Sequence, residues 1–519
     1  MCLVFWKLII TSVIKKAVTK KQKEELIRPP IVVVMGHIDH GKTKTLDYIR
    51  KTKVAEKESG GITQHIGAYE AEHSGKKITF IDTPGHEAFS AMRSRGATVA
   101  DIAVLVVAAD EGVKPQTKEA ISIIQKAGLP YVVAMNKMDK PEADPNRVRK
   151  ELAESEVLVE GWGGQVPIVE ISAKAGTNID ELLETILLLA EVQELKAHPE
   201  KNAEGVVIES HRDARRGVTT TLLLRDGSLR KGEFLAVGGF VEGIRILENF
   251  AGNRIEEAAA SMPIVISSLE HIPAVGDTFM SFRTKEGAEA HSKTQETKEA
   301  PQKQPSAAVA EGAEAKPTLA LVLKSDVGGS KEALDAILAS LVYPEVSVQI
   351  LKSELGDIGE SDIKTAIAGH ALVAGFRVKV VPATKQLAEA NVIKIIVKDV
   401  IYDLVDAIKS EMSDLIKPEI HRLELGKAKI LATFKTTGAK QIVGGRVLEG
   451  KLKLGSKVEI LRQGVASGEG KILQLQQNKK NAETVAAGFE FGVMVVSEAK
   501  IQEGDTIMVF DEEIIRKRL

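Results

Sequence analysis

Gly36-His37-Ile38-Asp39-His40-Gly41-Lys42-Thr43 fits the phosphate-loop spacing G-x-x-x-x-G-K-[ST]. The apolar run before it, Ile31-Val32-Val33-Val34-Met35, reads as a parallel strand buried on both faces. Thr45-Leu46-Asp47-Tyr48-Ile49 after it reads as the start of a helix. Strand, glycine turn and helix is the context that the spacing requires. The turn aims backbone N–H groups at a phosphate, and the helix N-terminus adds positive partial charge. Lys42 would reach the outer phosphates, and the Thr43 hydroxyl would ligate Mg²⁺. His37 and His40 read as residues that shape the turn.

Three later strand ends extend the site. Ile78 to Ile81 reads as a strand that ends in Asp82-Thr83-Pro84-Gly85-His86. Asp82 would hold Mg²⁺ through water. At Gly85 a side chain would block the approach of a γ-phosphate to the backbone N–H. His86 follows where it could orient an attacking water, or accept or donate a proton. Tyr131 to Met135 is a third strand, ending in Asn136-Lys137-Met138-Asp139. Guanine presents N1–H and its exocyclic amine side by side, and the Asp139 carboxylate can accept both. Adenine lacks that pair, and a site built around such donors can reject their absence by up to about 10⁴-fold. The Lys137 stem would cover the base. Ile168 to Ile171 leads to Ser172-Ala173-Lys174, where the Ala173 N–H would meet guanine O6. Gly60-Gly61-Ile62-Thr63 reads as a mobile segment that closes over Mg²⁺ through Thr63.

The length, 519 residues, suggests three or four domains, and 44% hydrophobic residues can supply their cores. A net charge of −2 gives no overall nucleic-acid signature. A single cysteine, Cys2, excludes disulfides and multi-cysteine metal sites. The apolar stretch Leu3 to Ile14 is too short to span a membrane and is interrupted by Lys7. Residues 1–28 read as a solvated extension or a mis-assigned start, with a membrane-surface helix as the alternative.

The expected fold is α/β and multidomain. Residues 29–193 would form a doubly wound P-loop GTPase domain. Residues 204–284 would form a β-barrel, 285–316 a linker that is part helical or disordered, 317–415 a βαβ domain and 422–519 a second β-barrel. The two β blocks echo each other in Arg225-Asp226-Gly227-Ser228-Leu229-Arg230-Lys231-Gly232 and Leu448-Glu449-Gly450-Lys451-Leu452-Lys453-Leu454-Gly455. From His421 to Leu519 there are 17 Lys and Arg against 12 Asp and Glu, a bias that suits an RNA-facing module or a merely soluble barrel.

Gly60 to Tyr69, Met92-Arg93-Ser94-Arg95-Gly96-Ala97, Val106 to Gln116 and Leu323 to Ser330, together with the loops above, resemble bacterial translation initiation factor 2. The resemblance runs from about residue 28 to the end. It implies a monomeric cytoplasmic GTPase that uses GTP, GDP and Mg²⁺. Such a factor places formylated initiator tRNA on the small ribosomal subunit, promotes joining of the large one, and hydrolyses GTP there, with ribosomal RNA positioning His86. The chain departs from the family in lacking its long N-terminal region. It also departs in the last barrel, where Phe491 and Gly445 stand in place of cysteines and Gln476-Gln477-Asn478 replaces a basic and aromatic run. Glu490 and Phe491 are the candidate tRNA-pocket residues. A GTPase delivering other tRNAs and a non-hydrolysing ribosome-binding scaffold are the rival readings.

Overall fold

The apolar run before the phosphate loop is strand β1 (Ile31–Gly36), buried along its whole length. The computed structural model describes residues 26–51, 66–213, 215–296, 316–416 and 419–515. It places β1 inside a sheet with β2 (Gly67–His73), β3 (Lys76–Asp82), β4 (Ile102–Ala108), β5 (Tyr131–Asn136) and β6 (Ile168–Glu170). The order is β2-β3-β1-β4-β5-β6, with β2 antiparallel and the rest parallel. Helices α1 (Lys42–Arg50), α2 (Ser90–Val99), α3 (Pro115–Ala127), α4 (Pro145–Glu154) and α5 (Ile179–Val192) make the connections. Strand order reverses at β1, so the crevice of this sheet opens beyond its carboxyl end, at the glycine turn.

Asn178 turns the chain into α5 with a left-handed φ of 56°, and its amide donates to Glu170 O at 2.8 Å. One local expectation needs correction: the chain is not a free extension as far as residue 28. Leu26–Ile27 pairs with Lys196–Ala197, and Arg28 makes a nearly buried two-pronged bond to Asp101, 2.6 Å on each side. The earlier residues of that stretch lie outside the described ones.

Residues 204–282 build a seven-stranded antiparallel sheet. Its two edge strands, Phe240–Gly243 and Ile246–Asn249, are consecutive in the chain. The sheet therefore curls until its edges are two residues apart, around a core that includes Leu222, Leu235 and Ile264. The helix Lys285–Glu296 packs on it, and the rest of the expected linker, 297–315, lies outside the described residues. Four parallel strands follow, in the order Ser347–Leu355, Thr318–Ser325, Leu372–Phe376, Ile395–Lys398.

The chain divides into two compact units, 1–408 and 409–519. The second is a closed barrel. Its strands run Glu419–Thr437, Thr506–Ile515, Lys457–Arg462, Val465–Gln477, Glu490–Ser497, Lys440–Lys453 and back to the first. The repeated acid–glycine turns have the same backbone in both β blocks. Gly227 and Gly450 have φ of 79° and 67°, and Gly232 and Gly455 have 90° and 86°. A side chain at Gly227 or Gly450 would strike a carbonyl oxygen, at 2.2 and 2.1 Å respectively, so only glycine fits either turn. Among the described residues no helix is long and apolar enough to cross a membrane.

Candidate nucleotide-binding site

The loops predicted to converge do so at the carboxyl ends of β1, β3, β5 and β6. Gly36 has φ 142° and packs so tightly on β4 that a Cβ would lie 2.3 Å from Val106 O. Gly41, φ 90°, turns the chain into α1 against Asn136. His40 is fully buried with its ring edge on His37, 5.0 Å between centroids, while Asp39 is exposed. Gln116 from α3 accepts the Ile38 N–H at 3.2 Å, a support that no loop motif announces. The buried Lys42 ammonium donates to Gly36 O at 2.9 Å and His37 O at 2.7 Å. Burial pushes its pKa down to about 8 against the opposing pull of Asp82. Gly85 sits directly on that ammonium, with a Cβ there 2.3 Å from Lys42 Nζ. Thr83 anchors its loop by donating to Val34 O at 2.9 Å.

The base-side loops are tied to the phosphate loop through one side chain. Asn136, 2% exposed, donates from Nδ2 to His40 O and accepts the Ala173 N–H on Oδ1, both at 2.9 Å. The Ala173 N–H, expected to meet guanine O6, is satisfied here by Asn136 Oδ1. The Ser172 hydroxyl donates to Asp139 Oδ1 at 2.7 Å, which holds the exposed Asp139 carboxyl below its usual range and fixes its direction. Lys137 adopts φ 64°, and its ammonium is pinned by Glu111 at 2.7 Å. Such backbone strain, about 1 kcal/mol or more, is kept where the surroundings over-determine it. Met138 follows half-buried, and Lys174 is exposed.

His86 is half-buried and stacks on Tyr402, 3.9 Å between ring centroids, with the Tyr402 hydroxyl bonded to Nδ1. Burial and the nearby Arg93 push the His86 pKa down to about 4. Arg93, 1% exposed, holds the backbone of this turn by donating to Pro84 O at 3.1 Å and to His86 O, while Glu119 fixes its far side at 2.6 Å. Sequence motifs gave no role to Tyr402, which lies 316 residues from His86. They quoted Arg93 only as part of a resemblance.

The two buried histidines make stability depend on pH. Burial lowers His40 to about 3 and His86 to about 4, from 6.5. The unfolded chain thus binds protons that the fold refuses, and stability falls as pH drops from 6.5. Each histidine adds at most about 1.4 kcal/mol per pH unit, and half-buried His86 adds the smaller share. The melting temperature of the full chain is expected to decline steadily between pH 6.5 and 4; a flat profile would count against neutral, buried rings.

Mg²⁺ fits what is present. Thr43 at the start of α1 and Asp82 at the end of β3 are hard oxygen donors. Among the described residues no group of three or more His, Cys, Asp or Glu could hold a metal ion. One or two protein oxygens beside phosphates are how proteins hold this ion. Thr63 lies outside the described residues.

In the last barrel Glu490 is exposed at 3.4 Å from Arg446, while Phe491 is 5% exposed and packs in the core. Both border a cavity of about 390 Å³ with Phe434, Gly444 and Lys479. A Cβ at Gly445 would lie 2.9 Å from Phe491 Cζ, so the absent side chain at 445 makes room for the ring at 491.

Residues 28–192 match the Elongation factor Tu GTP binding domain model, 202–282 match Elongation factor G domain 2, and 291–409 match Translation-initiation factor 2. Translation initiation factor IF-2 of Bacillus pumilus is 42% identical over 518 residues, covering 98% of this chain and 73% of that protein. The chain belongs to the translation initiation factor IF-2 family. The IF-2 of Carboxydothermus hydrogenoformans is 44% identical over 502 residues, 95% of this chain, and that of Desulforamulus reducens 41% over 523 residues, 98% of it. The chain spans 60% and 53% of those two relatives. Among solved structures, GDP-bound aIF5B from Aeropyrum pernix is 27% identical, covering 93% of this chain and 92% of that one, with a TM-score of 0.47.

Proposed function

We propose that this IF-2 family member binds GTP and hydrolyses it to GDP and phosphate on the ribosome. In this reading it also places formylated initiator tRNA on the small subunit and promotes joining of the large one. The observation that carries the nucleotide part is the chain of bonds from Asp139 through Ser172, and from Ala173 through Asn136 to the phosphate loop. It joins the base reader and the phosphate cradle in one rigid frame.

Gly36 to Thr43 hold the phosphates, with Lys42 on the outer ones. Asn136 to Asp139 and Ser172 to Lys174 hold the base. Mg²⁺ on Thr43, Asp82 and Thr63 would neutralise charge on the phosphates. Gly85 admits the γ-phosphate to the backbone beside Lys42, and neutral His86 orients the water. The water oxygen bonds to γ-phosphorus as the bridging oxygen departs on GDP. Relatives that carry the name translation initiation factor support the ribosomal and tRNA roles; a cytoplasmic site of action and action as a monomer are part of the same proposal.

Filter binding with the full chain tests the tRNA part. Formylated initiator tRNA should be held about tenfold tighter than the unformylated form, the worth of about one good hydrogen bond. Equal retention of formylated, unformylated and elongator tRNAs would remove that role. Calorimetry tests the rest: preference for ATP, or no nucleotide binding, would end the proposal.

A further inference from the structure

Helix α2 carries two sets of contacts on opposite faces. At about 100° per residue, Arg93 and Arg95 point about 200° apart, whereas Met92 and Arg95 share a face. Arg93 grips the Pro84–His86 backbone. Arg95 forks onto Glu332 at 2.9 and 3.1 Å and lies over Gly276. The Met92 methyl fills the space in front of Gly329, where a Cβ would lie 2.2 Å from it. Glu209 of the second domain accepts the Gly329 N–H at 3.2 Å. The His86 turn and the Gly328–Ser340 helix of the third domain are thus clamped to one short helix.

Tyr402, on a second helix of the third domain (Ile401–Leu415), closes the arrangement on His86 itself. Its ring covers one face of the imidazole, at an interplanar angle of 32°, and its hydroxyl occupies Nδ1. A histidine that must turn toward a water on the γ-phosphate has to leave both contacts. We propose that Tyr402 is a positioning residue that restrains His86, so that the third domain withholds GTP hydrolysis until the contact is broken. This rests on the reading of His86 as the water-orienting group. The restraint costs the reaction the hydroxyl–imidazole bond, and the clamp through Arg95 and Glu332 keeps that bond in reach.

The test uses the full chain without ribosomes. Single-turnover hydrolysis of γ-labelled GTP should rise about tenfold in Tyr402→Phe, about 1.4 kcal/mol for one hydrogen bond. The phenylalanine keeps the stack and the fold. GTP affinity, followed with a fluorescent GTP analogue, should stay within about twofold, because the site residue that Tyr402 touches, His86, is assigned to the attacking water and not to holding the nucleotide. In a His86→Ala background the same substitution should leave the rate unchanged, since the hydroxyl then keeps only its bond to the Ala88 backbone and has no imidazole to restrain. Glu332→Gln, which loosens the clamp without touching His86, should raise the rate in the same direction. Normal GTP binding with an unchanged or lower rate in Tyr402→Phe overturns the restraint while leaving the nucleotide site intact. A tenfold rise that persists without His86 also overturns it. Failure of the unaltered chain to bind GTP removes the reading of the site, and the restraint with it.

Discussion

His86→Ala is expected to keep GTP affinity within about twofold and to lower ribosome-stimulated hydrolysis by roughly 10³-fold, the usual worth of a positioned proton-transfer or water-orienting group. The half-buried side chain packs on Tyr402, while Arg93 fixes the backbone of its turn, so its removal leaves the phosphate loop standing. Lys42, Gly85 and the base loops keep their bonds, which is why binding should survive. Alanine presents nothing that can order water. Quench-flow single-turnover measurements with ribosomes decide the matter, and an unchanged rate would refute the role. With its pKa pushed down to about 4, His86 is uncharged throughout the physiological range. Without ribosomes, where His86 keeps this place, GTP hydrolysis should therefore show no step between pH 6 and 8 attributable to this ring.

Asp139→Asn should lower affinity for GTP by roughly 10³-fold and favour xanthosine triphosphate over GTP. The carboxylate accepts two donors from guanine. The amide offers an N–H in place of one acceptor, which clashes with the guanine amine and suits the xanthine 2-oxo group. The Ser172 hydroxyl on Oδ1 fixes which edge of the side chain faces the base, so the exchange acts on one defined contact. Calorimetric titration with both nucleotides measures it. Undiminished preference for GTP would contradict the assignment of Asp139 and leave the base reader unidentified.

The tight turns of these loops were legible for a physical reason. Gly36, Gly41 and Gly85 each mark a place where backbone must approach backbone or an ammonium within a few ångströms, and only glycine permits that. The buried parallel strands announce themselves as unbroken apolar runs because both of their faces are covered. What was not legible has a physical reason too. The sequence does not show that the Ala173 N–H also meets Asn136, 37 residues away. Glu490 and Phe491 both border the cavity in the last barrel, but the sequence did not show that strand alternation leaves one exposed and buries the other in the core.

Local sequence by itself marked the glycine turns and strand-end loops that meet at the carboxyl end of the first sheet, and the change from α/β to β blocks along the chain. Each depends on residues that are neighbours in the chain, where spacing and backbone sterics are enough. Only the tertiary structure decided that Arg93 would be buried under the His86 turn, that Phe491 would occupy the room left at Gly445, and that Tyr402 would close on His86 from 316 residues away. Those contacts arise from packing between elements that no local pattern relates, because a side chain's partner across a domain junction is set by the shape of the assembled core.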